Sequence, residues 1–187
     1  MKNISLLATL GTSTLLVACS SSPEMMVDGE SMLDAKTVYT QTNLHPDVAR
    51  KRLFSINYQQ DGLIPRCSEV ELVDVNSSQL LFNYEGQRYQ YVFHKASGDF
   101  DTNLKKYFGT RCDDSALQDL SEIDRKGLKN GQVYEGMSKK GVTLAIGFPP
   151  QHVTPSLESN VWRYWNSRFN TFLVNFDENG KVESIKE

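Results

Sequence analysis

Three cysteines and three histidines are the residues of this chain best suited to sulfur or nitrogen chemistry. Cys19 ends the run Leu16-Val17-Ala18-Cys19, after an apolar stretch from Ile4 to Val17. A basic start at Lys2, a short apolar run and a small residue before the cut mark a secretory signal. A membrane span needs roughly 20 apolar residues, and this run is shorter and broken by Thr and Ser. With Cys19 set apart, Cys67 and Cys112 remain. An even pair in an oxidising compartment reads as a disulfide, worth roughly 3 to 4 kcal/mol in the chain-entropy model. Two free buried thiols or a metal site are the alternatives, and no second pair or nearby His supports a metal. His45, His94 and His152 stand apart, and none falls in a His-Glu-x-x-His spacing. No Gly-x-Ser-x-Gly turn and no phosphate-cradling glycine loop is present. A Ser-His-Asp triad assembles from distant segments, so spacing alone does not address it. Asp99-x-Asp101 and Asp113-Asp114 suit a weak calcium site or glycoside cleavage, but such acids are more commonly helix caps. The expectation is no catalysis, no cofactor and no metal.

The four residues Leu16 to Cys19 resemble a bacterial lipobox. That resemblance implies that residues 1–18 are removed and that Cys19 begins the mature chain bearing three acyl chains. One acyl chain holds a protein only marginally, whereas several anchor it stably. Ser20, and not Asp, follows the cysteine. By likeness to known sorting patterns this implies the outer membrane, with the folded part facing the periplasm. Losing Lys2 with the signal takes the formal net charge from -3 to -4. That mild acidity argues against a nucleic-acid partner. Roughly 170 residues then remain, enough for one domain or two small ones. The short basic runs Arg50-Lys51-Arg52, Lys105-Lys106 and Lys139-Lys140 read as solvated faces, or as contacts to anionic head groups.

These residues need elements to hold them. Residues 19–45 open with Ser20-Ser21-Ser22-Pro23, lack a sustained apolar period and read as a lipidated tether. Residues 46–130 read as a β-rich module with a helical tail. Arg52 to Gln59 alternates Phe54, Ile56 and Tyr58, which predicts one half-buried strand. Glu69 to Val75, Gln79 to Tyr84 and Arg88 to Phe93 predict three more, joined at Asn76-Ser77-Ser78 and Glu85-Gly86. A small antiparallel sheet follows, with an SH3-like barrel as one candidate. Tyr89, Tyr91 and Phe93 share a face that is either core or a binding surface. A short helix is expected near Asn103 to Phe108, capped by Asp101 or Thr102. A second runs from Ser115 through Leu117, Leu120 and Ile123 to a stop at Asn130-Gly131.

Residues 131–187 hold the most specific pattern after Cys19. Ser138 is placed to cap a helix whose apolar stripe is Val142, Ala145 and Ile146, closed by Gly147 and Pro149. Gly141 inside it costs roughly 1 kcal/mol relative to Ala. Two β runs follow, Asn160 to Trp165 and Thr171 to Phe176. The turn Asp177-Glu178-Asn179-Gly180 leads into a closing strand, Lys181 to Ile185. Neighbours on a strand face opposite sides, so Trp162 and Tyr164 read as core and Trp165 as facing solvent, a partner or the other module.

The elements Gly136-Met137-Ser138, Val142, Ile146-Gly147, Pro149, Trp162 with Tyr164, Phe176-Asp177, Gly180 and Val182 resemble the SmpA/OmlA family, the BamE lipoproteins of outer-membrane β-barrel assembly. The resemblance implies helices packed on a three-stranded antiparallel sheet, and a non-catalytic scaffold in a larger envelope complex. The β-rich module is additional to that family domain. The fold class expected is therefore α+β, a β-rich and SH3-like module followed by a BamE-like domain. The partners expected are the membrane through Cys19 and envelope proteins, the barrel-assembly machinery among them. Two alternatives stand beside this reading. One is recognition of peptidoglycan or another envelope ligand through Tyr89 and Tyr91. The other is inhibition of an enzyme through the Trp165 face.

Overall fold

The computed structural model describes residues 26–27, 30–32, 34–35 and 37–187. Cys19 and the signal segment lie outside the described residues. Among the described residues the chain is a mixed α+β fold with three sheets. A small antiparallel pair joins β1 (Met26–Val27) to β2 (Glu30–Ser31).

The second sheet contains β3 (Val38–Thr40), β4 (Arg52–Phe54), β5 (Glu69–Asn76), β6 (Gln79–Tyr84), β7 (Gln87–Val92) and β8 (Phe108–Gly109). Its order is β4-β7-β6-β5-β3-β8, antiparallel except for β4 beside β7. The turns are chemically determined. Asn76 Oδ1 accepts from the amides of Ser78 (2.9 Å) and Gln79 (3.2 Å). Glu85 and Gly86 both take positive φ, +48° and +73°, the backbone that a two-residue hairpin needs. Alternation on β6 sends Leu80 and Phe82 inward. Helix α1 (Phe100–Tyr107) covers them through Phe100, Leu104 and Tyr107, spaced four and three apart. Tyr91 sits among Phe100, Tyr107 and Phe108 with ring centroids 5.7 to 6.3 Å away.

Three expectations are corrected in this half. Residues 38–45 are not tether. Strand β3 lies inside the sheet between β5 and β8, and Val38, Thr40, Thr42, Asn43 and Leu44 are all buried. The strand expected to reach Gln59 ends at Phe54, because Asn57 takes φ +59° and turns the chain. The helix expected from Ser115 is a 3-10 turn at Asp114–Leu117 followed by a separate helix, α2 (Glu122–Asn130). The break has a local cause. Ser121 and Asp124 form a reciprocal capping box that starts α2 afresh. Gly131 then closes it at φ +62°.

The third sheet holds β9 (Val161–Ser167), β10 (Asn170–Phe176) and β11 (Val182–Lys186), antiparallel in the order β11-β10-β9. Helix α3 (Lys139–Ile146) packs on it. Met137, Val142, Ala145, Ile146, Trp162, Tyr164, Val174, Phe176 and Val182 make one buried cluster, and Ile123 of α2 packs against it. Helix α2 therefore leans on α3 although it follows the β-rich segment in sequence.

Asp124 explains how the two helices lock. Its carboxylate is 1% exposed and bonds to both helix starts. Oδ2 accepts from Ser121 N (3.1 Å) and Oγ (2.7 Å), and Oδ1 from Ser138 N (2.7 Å) and Oγ (3.1 Å). Burial pushes its pKa up, but these four bonds outweigh burial and hold it below the ordinary carboxylate value. Gly141 makes the room. A Cβ there would lie 2.0 Å from Asp124 Oδ1.

Candidate functional site

The two halves meet at the C-terminal end of α3. The last carbonyls of a helix have no partner within it. Here side chains from residues 43–59 supply the donors. Asn43 Nδ2 reaches the carbonyls of Leu128 (2.7 Å) and Ala145 (3.1 Å). His45 Nε2 lies 3.1 Å from Ala145 O. Asn57 Nδ2 bridges the carbonyls of Ile146 (2.9 Å) and Phe148 (2.8 Å), and Gln59 Nε2 also reaches Ile146 O (2.9 Å). The αL turn at Asn57 aims its amide into this corner. Burial lowers the pKa of His45, opposed by its hydrogen bonds to Ala145 and Gly62. Neutral His45 thus serves as a donor in the seam.

Beside the seam lies a cleft of about 370 Å³. Gln59, Gln60, Gln132 and Asn166 give it polar walls, and Val133 and Phe172 give it apolar ones. Gln60 also donates to the Asn166 carbonyl. The Gln59 Oε1 atom is buried without a hydrogen-bond partner among the described residues.

Trp165 sits on the same seam, and of the surroundings left open for it the other module is the one found. Its carbonyl accepts from Gln59 N (2.7 Å), and its ring stacks on His152 at 6.4 Å. The indole is half-buried, with Nε1 enclosed and without a hydrogen-bond partner among the described residues. The other strand positions facing away from the core stay open. Val161 and Arg163 are exposed, and Leu173 is half-exposed and opposite Arg163 in the register. Among the described residues no helix covers this sheet face, since α2 and α3 both lie on the other side with Trp162 and Val174.

The hairpin between β9 and β10 carries what the sequence reading missed. Phe169 is 89% exposed at its tip, and Arg168 lies 5.4 Å from its ring. An apolar aromatic held out in solvent beside an arginine is the composition of an interface anchor. The signal was present in Ser167-Arg168-Phe169-Asn170, a short loop with one large apolar residue.

Tyr91 is removed as a contact residue. It is 2% exposed, and its hydroxyl donates to Asn103 Oδ1 (2.7 Å). Tyr89 is half-buried, stacked on Phe82 at 5.5 Å with Lys51 Nζ 5.7 Å from its ring. The two therefore form no continuous aromatic platform.

The candidate acids resolve into caps. Asp99 accepts from Thr102 N (2.8 Å) at the start of α1, and Asp113 from Ser115 N (2.8 Å). Those bonds hold both carboxyls below their ordinary pKa. Asp101 pairs with Lys105 at 2.6 Å. Cys67 and Cys112 form a disulfide with Cα atoms 5.3 Å apart. Among the described residues, the sole grouping with metal-ligand proximity is these two sulfurs with Asp114, and the sulfurs are bonded to each other. Also among the described residues, no helix is long and apolar enough to cross a membrane.

The fold and its surfaces define a mixed α+β protein with a polar-lined seam and one uncovered sheet face. No protein-family model, curated protein or solved structure matches this chain.

Proposed function

We propose that this chain is an outer-membrane lipoprotein whose folded part is a non-catalytic interaction module for envelope proteins. Cys19 is the lipid attachment point, and the fold faces the periplasm. One observation supports the BamE-like reading of residues 131–187 above the others. Met137, Val142, Ile146, Trp162, Tyr164, Phe176 and Val182 are all buried in one cluster between helices and a three-stranded antiparallel sheet. Gly136 N also donates to Val182 O (2.8 Å), and Val182 N to Met137 O (2.7 Å), which closes the unit on itself. These residues build the scaffold, so binding falls to what they leave outside. That is the outer face of β9 and β10 with Phe169 at its tip, in place of Trp165. For the first module, the SH3-like likeness rests on the β5–β6–β7 meander. The occupant of the open face is a protein of the envelope, with the barrel-assembly machinery as the first candidate.

The test has two arms in living cells. An alkyne fatty acid should label the wild-type chain and pellet with outer membranes, and Cys19→Ser should lose both. A photo-crosslinking residue at position 169 should capture an envelope protein, and one at the buried position 174 should not. An unlabelled, freely soluble wild-type chain would remove the anchor. Labelled chains with no capture at position 169 would remove the interface.

A further inference from the structure

Arg66 hydrogen-bonds to one sulfur of the disulfide, that of Cys67. Its Nη1 donates to Cys67 Sγ at 3.0 Å, and its side chain is 5% exposed. The guanidinium is fixed there. Nη2 donates to the Asp113 carbonyl, and the Arg66 amide donates to Asn43 Oδ1 (2.8 Å). Cys112 faces the opposite charge, with Asp114 Oδ1 3.9 Å from its sulfur. Asp114 also lies 3.7 Å from Arg66 Nη1, but its side chain is 84% exposed. Water and salt screen that carboxylate, while the buried guanidinium acts at nearly full strength on Cys67. Asp113, Arg111 and Lys105 are the other charged groups of this corner, and Lys105 is paired with Asp101.

Both cysteines are half-buried, but only one borders open space. A cleft of about 460 Å³ opens beside the bond, lined by Gln41, Lys105, Phe108, Thr110, Cys112 and Asp113. Cys112 lines it and Cys67 does not. Cys67 is moreover held at φ +63°, a backbone that non-glycine residues rarely adopt.

We propose that the Cys67–Cys112 bond is a directional thiol-exchange site, with Cys112 the sulfur attacked and Cys67 the leaving group. The co-reactant is a thiol, and in the cell a protein dithiol. An incoming thiolate enters the cleft and bonds to Cys112 Sγ. The Cys67–Cys112 bond breaks, and its electron pair leaves on Cys67 as a thiolate held by Arg66. The partner is now joined to Cys112 as a mixed disulfide. A second thiolate on the partner then attacks the partner's own linked sulfur. Cys112 departs as a thiolate and takes a proton from water, and the partner holds the disulfide. Two electrons have passed from the dithiol to this chain. A lowered leaving-group pKa speeds such exchange, and a neighbouring cation is one way to lower it. This inference is independent of the lipid anchor and of the Phe169 surface.

The probe is reduced glutathione, applied to the oxidised full chain with peptide mapping of the adduct by mass spectrometry. The adduct should fall on Cys112 over Cys67 by about tenfold or more, and Arg66→Gln should slow its formation about tenfold. A merely structural arginine would alter stability without selecting one sulfur. Alkylation rates of the reduced wild-type chain against pH give a second readout that needs no variant. Cys67 should titrate below the free-thiol value of about 8.5, and below Cys112. Adduct mainly on Cys67, equal labelling, no adduct at millimolar glutathione, or Cys67 titrating as an ordinary thiol would each overturn the proposal.

Discussion

Replacing Asp124 by Ala tests the lock between α2 and α3. The carboxylate accepts four hydrogen bonds, two from backbone amides and two from hydroxyls. Removing it strands two amide donors, at about 1 kcal/mol or more each, and weakens two hydroxyl bonds at about 0.5 each. Ser138 Oγ still caps Gly141 N at 2.9 Å, so α3 keeps part of its cap. Relief of the buried charge offsets some of the loss. The net expectation is about 2 kcal/mol, or a melting point about 4 to 8 °C lower for a chain of this size. The acid side of the curve adds a second criterion. The folded pKa of Asp124 lies below its unfolded value of 3.8. Its contribution is therefore complete above the unfolded pKa and disappears as pH falls through the folded one. Urea denaturation followed by circular dichroism at pH 7 and at pH 3 measures both. The gap between wild type and Asp124→Ala should be widest at pH 7 and narrow on acidification. A loss under about 1 kcal/mol at pH 7, or an equal gap at both pH values, would refute the cap as the source of the lock.

Gly141→Ala should destabilise, although Ala normally favours a helix by about 1 kcal/mol, and the loss should shrink in the Asp124→Ala background, where Oδ1 and Cγ are gone and only the Cβ of residue 124, at 2.9 Å, still presses on the new methyl; a double-mutant cycle in urea decides it. Asn57→Ala should cost about 1 to 2 kcal/mol, since it leaves the Ile146 carbonyl to Gln59 alone and the Phe148 carbonyl to the Tyr107 hydroxyl at 3.5 Å, and puts a Cβ residue without a local hydrogen bond at positive φ; thermal melts read the loss and Asn57→Gly should recover part of it. Lowering pH from 7 to 5 should weaken the seam, because burial depresses the His45 pKa below 6.5; its neutral form stabilises the fold above the unfolded pKa and that contribution is lost as pH falls toward the folded one, an effect that His45→Gln should flatten. Phe169→Ala should leave stability within about 0.5 kcal/mol while abolishing capture of a crosslinking partner, which separates a surface role from a packing role.

Local chemistry was legible in the sequence wherever it acts over a few residues. Ser138 does cap α3, Gly147 does end it at φ +77°, and the Asp177 to Gly180 turn joins β10 to β11. Strand alternation also placed Trp162 and Tyr164 inside, because a period of two depends on the backbone alone. What tertiary structure decided was every contact between distant segments. Strand β3 lies in a stretch with no apolar period, and only β5 and β8 on either side give its backbone partners. The helical spacing of Leu117, Leu120 and Ile123 yielded to the capping box of Ser121 and Asp124, and the Asp124 carboxylate is shared with Ser138 fourteen residues on. Alternation turned Trp165 away from the Trp162 side but left open what it faces, and residues 57–60 running beside β9 decide that. Pairing, capping and turns are short-range forces written into neighbouring residues. Which faces remain open, and which sulfur an arginine touches, depend on how far-apart segments fill space together.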